Sequence, residues 1–155
     1  MPYFAAVLAR TAAGWSAREV DLDEVETIDD IAEVVRDAAD AASASLLFVE
    51  EDDEYVGIVR VDGEDDEPRV FLSHASSAVE YDLAGILADG VTEEDSDDED
   101  EDDQLGDAAV VADLGTSARE LLALLRQEGT LPSDVITTVC EKAGCLNELE
   151  ALRAL

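Results

Sequence analysis

The chain has 155 residues, 47% of them apolar, with nine Lys and Arg against 41 Asp and Glu, a formal charge of −32. One domain of that length buries roughly 70% of the surface its unfolded form exposes, so a core can form without a disulfide framework or a structural metal. The charge argues against binding to phosphate backbones, which takes clustered Lys and Arg, and against anionic membrane surfaces, which repel such a chain.

Tyr3 to Ala9 is an apolar run of strand length, suited to burial on both faces. The turn Thr11-Ala12-Ala13-Gly14 leads to a more polar strand, Trp15 to Leu22, and the two read as a hairpin. Thr27 is placed to cap a helix, with Asp30 three residues on in a capping-box-like position. Ile28, Ile31, Val34, Val35, Ala38, Ala39 and Ala42 recur at steps of three and four and form its apolar face. A second hairpin follows, from Leu46-Leu47-Phe48-Val49 through the charged turn Glu51-Asp52-Asp53-Glu54 to Tyr55–Val61. Within it Gly57 marks a bulge or a close contact. The loop Asp62 to Pro68 precedes the strand Arg69-Val70-Phe71-Leu72, after which Ser73 is read as the cap of a helix carrying Ala75, Ala78, Val79 and Leu83. The order β-β-α-β-β-β-α predicts an α+β fold, an antiparallel sheet of about five strands with helices on one face.

The stretch 92–103 holds ten acids in twelve residues, and such mutual repulsion predicts a disordered linker over 91–107. Taking those ten acids out of −32 still leaves −22, so the folded part is acidic as well. Ser117 and Glu120 have the form of a capping box ahead of a leucine-rich helix ended by Gly129. Leu131-Pro132-Ser133-Asp134 opens another, with Val135, Ile136, Val139 and Cys140 on one face and Gly144 as its stop. Asn147 is read as the cap of a last short helix. The expected organisation is a sheet domain at 1–90, the acidic linker at 91–107, and a helical segment at 108–155 packed on the first domain. No apolar run approaches a membrane span, and the first residues lack a basic signal-peptide region, so the expected location is cytoplasmic.

Few residues suggest chemistry. His74 is the one histidine, and its neighbours Ser73, Ser76 and Ser77 suit capping better than a catalytic triad. Cys140 and Cys145 fall short of the four ligands a structural zinc needs; Cys140 reads as a core residue and Cys145 as part of the turn. The acidic run lacks the internal glycine of a calcium loop, and no Gly-rich phosphate loop is present. No catalytic, cofactor-binding or metal-ligating residue is assigned, and no cofactor is expected.

Several segments together carry a resemblance. Tyr3-Phe4-Ala5-Ala6-Val7-Leu8-Ala9-Arg10 opens the chain, and Asp21-Leu22-Asp23 precedes the first helix. Val59-Arg60-Val61-Asp62-Gly63-Glu64-Asp65-Asp66 leads to Pro68-Arg69-Val70-Phe71, and Leu114-Gly115 and Leu131-Pro132-Ser133-Asp134 introduce the later helices. In this order they resemble the actinobacterial family of tRNA adenosine deaminase-associated proteins, whose name reflects gene position beside a tRNA adenosine deaminase. The preference for Arg over Lys, eight to one, agrees with a GC-rich source. The chain is not that deaminase: zinc deaminases carry His-x-Glu and Pro-Cys-x-x-Cys, whereas His74 is followed by Ala75 and Ser76, and the cysteines are spaced Cys-x4-Cys.

The resemblance brings no activity or catalytic residue with it; the expected function is that of a non-catalytic acidic partner or regulator of a tRNA adenosine deaminase, or of another basic protein. An enzyme that binds tRNA presents a basic surface, on which an acidic protein can dock by charge. The candidate contact residues are Glu51, Asp52, Asp53, Glu64, Asp65 and Asp66, all read as surface acids in loops at the ends of the sheet. Two alternatives stay open: a small ligand-binding domain or enzyme, favoured by a deep pocket containing His74, and a general acidic mimic of nucleic acid. The plain reading of the same acids is that they keep the protein soluble.

Overall fold

A computed structural model of the chain describes residues 3–153 other than 13, 40–43, 52–53, 62–67, 75–76, 91–104, 107–108 and 128. The strands are β1 (Tyr3–Thr11), β2 (Gly14–Glu19), β3 (Ala44–Glu51), β4 (Tyr55–Val61), β5 (Arg69–Leu72) and β6 (Leu105–Gly106). They form one antiparallel sheet in the order β2-β1-β3-β4-β5-β6. The helices are α1 (Ile28–Ala39), α2 (Ser77–Glu80), α3 (Asp82–Asp89), α4 (Ala118–Arg126), α5 (Pro132–Ala143) and α6 (Leu146–Arg153), with a short 3-10 turn at Ala112–Leu114. The α+β class and the β-β-α-β-β-β-α order are those expected. The short β6 lengthens the sheet by one strand and comes from the end of the stretch assigned to a linker; the acidic run itself lies outside the described residues.

The strands alternate between two apolar layers because successive side chains leave a pleated strand on opposite faces. Ala5, Val7 and Ala9 of β1, Leu47 and Val49 of β3, and Tyr55, Val59 and Val61 of β4 face one layer. Ala6 and Leu8, Leu46 and Phe48, and Val56 and Ile58 face the other. Helices α1 and α3 cover the first face with Ile31, Ala32, Val35, Leu83, Ala84 and Leu87. The second face is covered by Val110, Val111, Leu121 of α4, Ile136 and Val139 of α5 and Leu149 of α6. Helices α1 and α3 share one face, as expected, and the C-terminal helices occupy the opposite one. Strands buried on both faces carry continuous apolar runs, which is why all seven residues of β4 are buried.

Local chemistry sets the element ends. Thr27 Oγ1 accepts the Asp30 N–H at 3.2 Å, and Asp30 Oδ2 accepts the N–H of Thr27 at 3.3 Å and of Glu26 at 3.0 Å, a reciprocal cap for α1. Ser117 Oγ accepts the Glu120 N–H at 3.2 Å and caps α4. Asp134 Oδ2 accepts the Leu131 N–H at 3.1 Å at the start of α5, and Gly144, at φ +92°, ends it in the left-handed conformation. Gly57 marks a close contact: a Cβ there would meet Leu87 Cδ1 at 2.5 Å, so glycine lets α3 lie against β4.

Two local expectations change. Ser73 does not cap a helix: its Oγ accepts the Val56 N–H at 2.8 Å, and its own N–H donates to the Val56 carbonyl at 2.9 Å. The serine is thereby committed to β4, and the expected helix becomes α2 and α3, separated by Tyr81, whose ring packs 5.6 Å from that of Tyr55. Asn147 lies inside α6, which starts at Leu146, rather than capping it; Cys145 sits in the turn before that helix, as read, with its side chain fully buried in the second layer.

Candidate functional site

The six candidate acids meet different fates. Glu51 is the last residue of β3 and is only 9% exposed. The Tyr55 hydroxyl donates to its Oε1 at 2.8 Å, and the Glu54 N–H donates to its carbonyl at 3.0 Å. This corrects the reading of Glu51 as a surface acid in a loop: it belongs to β3 and is paired with Tyr55 of β4, so the carboxylate is used inside the sheet. Asp52, Asp53, Glu64, Asp65 and Asp66 lie outside the described residues. The segments that carry them leave β4 from opposite ends, at Tyr55 and at Val61.

The β3–β4 turn does border a cleft of about 210 Å³ on the second face, between the ends of β4 and β5 and the α4–α5 connection. Val56, Leu125, Leu131, Pro132 and Val135 supply its apolar lining. Glu54, Ser73, His74 and Thr130 supply its polar lining. Ser73 Oγ lies 2.8 Å from His74 Nδ1. The same oxygen accepts the Val56 N–H, so one hydroxyl ties the His74 ring to β4. Ser73 is buried and holds two strands together, so it acts as an orienting group for the ring. Among the described residues no three His, Cys, Asp or Glu side chains group as a metal site.

A second polar cluster anchors the C-terminal half. Arg60 and Arg69 face each other across β4 and β5. Arg60 is 5% exposed; its Nη1 donates to the Val110 carbonyl at 3.0 Å and to Asp113 Oδ1 at 2.5 Å, and its Nη2 donates to Asp113 Oδ2 at 2.9 Å. Arg69 Nη2 donates to the Ala109 carbonyl at 3.3 Å. The Arg60 hydrogen bonds, opposed by partial burial and aided by the guanidinium charge, hold the Asp113 carboxyl below the usual carboxylate range. Lys142 of α5 pairs with Glu120 of α4. Sequence spacing gives Arg60 and Arg69 no partners, since their targets lie 40 to 53 residues further on.

On the other face, burial is the main cause that pushes the Tyr3 hydroxyl up to about 12. That hydroxyl accepts the Leu22 N–H at 2.6 Å, which acts the other way, and donates toward Asp21 and Asp23. The contact fixes the turn between β2 and α1. Among the described residues no helix is long and apolar enough to cross a membrane.

Comparison with curated proteins and with solved structures gave no significant match. A family model described as "Rv3753c-like tRNA adenosine deaminase-associated protein" matches residues 3–146, from the first residue of β1 to the first residue of α6. With the whole sheet and helices α1 to α5 inside that match, the chain belongs to the Rv3753c-like tRNA adenosine deaminase-associated protein family.

Proposed function

We propose that this protein is a non-catalytic cytoplasmic accessory partner of a tRNA adenosine deaminase, which it binds through its acidic surface. Membership of a family named for association with that enzyme is the observation that carries the reading. The charge of −32 supports it, because the surface that takes up tRNA is basic and attracts an acidic protein along the same field lines. Bound there, the protein competes with the phosphates of tRNA.

Deamination of tRNA measured with this protein in excess over the enzyme tests the reading. The expected result is a raised KM for tRNA with kcat unchanged, the signature of competition for the substrate surface. Both constants unmoved by excess protein would contradict it. A general acidic mimic would inhibit unrelated basic tRNA-binding enzymes to the same degree, so one such enzyme belongs in the experiment. A second reading, a small-ligand site at the cleft that holds His74, would be supported by a metabolite released on denaturing the purified protein.

A further inference from the structure

We propose that the cleft beside His74 receives a single apolar side chain of the protein partner, from a segment in which Lys or Arg flanks that side chain. The inference rests on the partner reading above and gives it a place on the molecule. Size is the first argument. About 210 Å³ falls below the roughly 300–1,000 Å³ of small-molecule pockets. It suits one aliphatic or aromatic anchor of the kind that fills a desolvated pocket at an interface centre.

Lining is the second. Val56 and Val135 are buried and belong to β4 and α5, so the floor is preformed on two regular elements. Leu131 stands at the cleft 45% exposed, one of two large apolar side chains exposed among the described residues; the other is Val79. An exposed leucine beside a preformed apolar floor offers area that an anchor side chain would cover. Charge is the third. Glu54 is exposed at the same cleft, and among the described residues no Lys or Arg contributes to the lining. On a chain of −32, the segment that brings its anchor here is selected for basic flanks. The ring of His74, held by Ser73, adds a hydrogen-bonding group to the wall.

The test is calorimetric binding of the tRNA adenosine deaminase of the same organism to the native chain and to three variants. Leu131→Glu places a charge at the cleft, Glu54→Lys repels a basic flank, and Val79→Glu places the same new charge at the other exposed apolar position. Expected are losses of about 30-fold or more in affinity for Leu131→Glu, the size of an interface hot spot. Glu54→Lys weakens binding in the same direction, and Val79→Glu stays within about twofold of the native protein. Leu131 and Glu54 are exposed, so far-ultraviolet circular dichroism should show both variants folded. Native-like binding by both would overturn the cleft proposal and leave the partner reading standing. Equal losses in all three variants would overturn it in favour of diffuse charge attraction or repulsion. No binding by the native protein would remove the partner reading and this inference together.

Discussion

Phe48→Ala is expected to lower the unfolding free energy by about 3–5 kcal/mol, read as a reduced urea midpoint with the slope unchanged. Phe48 is fully buried at the middle of β3, opposite Ala6 of β1 and Ile58 of β4, and it points into the second apolar layer. Its burial there depends on residues that follow the acidic run, because that layer is roofed by the 110–114 segment and by α4, α5 and α6. Truncation leaves a cavity between sheet and helices that neither can close, since both are regular elements fixed by their own hydrogen bonds. A loss below about 1 kcal/mol, the range of a poorly covered side chain, would mean that the C-terminal helices do not roof the sheet.

Asp113→Ala is expected to cost about 2–3 kcal/mol. Removing one member of a fully buried ion pair costs about 3–5 kcal/mol because the other charge is stranded. Here Arg60 is 5% exposed but Asp113 is 58% exposed, and water screening of the exposed partner brings the figure down. The pair also sets a pH dependence. The Asp113 carboxyl is held below its ordinary value in the folded state, so its contribution is present above about pH 4 and is lost as pH falls through the folded pKa. Urea unfolding of the native protein and of Asp113→Ala between pH 7 and pH 3 should therefore show the difference between them shrinking toward acid. A difference that stays constant over that range would show that the Arg60–Asp113 contact does not depend on charge.

The strands were legible because their apolar runs are long and bounded by charged or glycine-containing turns. Tyr3–Ala9 already reads as buried on both faces, yet the sequence does not say what covers the second face. That cover comes from helices beyond the acidic run, and apolar periodicity in α4 and α5 says which side is buried, not against what. Caps were legible at Thr27 and Ser117, where donor and acceptor lie within three residues. Ser73 has the same local look, but its hydroxyl is taken by Val56, 17 residues earlier, through strand pairing. Glu51 sits in a charge run and reads as solvated; its pairing with Tyr55 of β4 decides otherwise. The Arg60–Asp113 contact joins residues 53 apart, and the His74 cleft draws its lining from four separate stretches of chain, so neither has a local signature. The family resemblance rests on the order of several short segments, a longer-range signal than any single motif, and the family match spans them from β1 to α6.

The partner reading is tested most directly by titrating this protein into the tRNA adenosine deaminase of the same organism, by calorimetry at low and at physiological salt. Contacts that depend on surface charge alone fade once the screening length falls to about 8 Å, whereas a docked interface keeps its stoichiometry. The expected result is saturable binding with a fixed ratio at both salts, weaker at the higher one. Heat that vanishes at physiological salt, or no heat at either, would contradict a specific partnership between the two proteins.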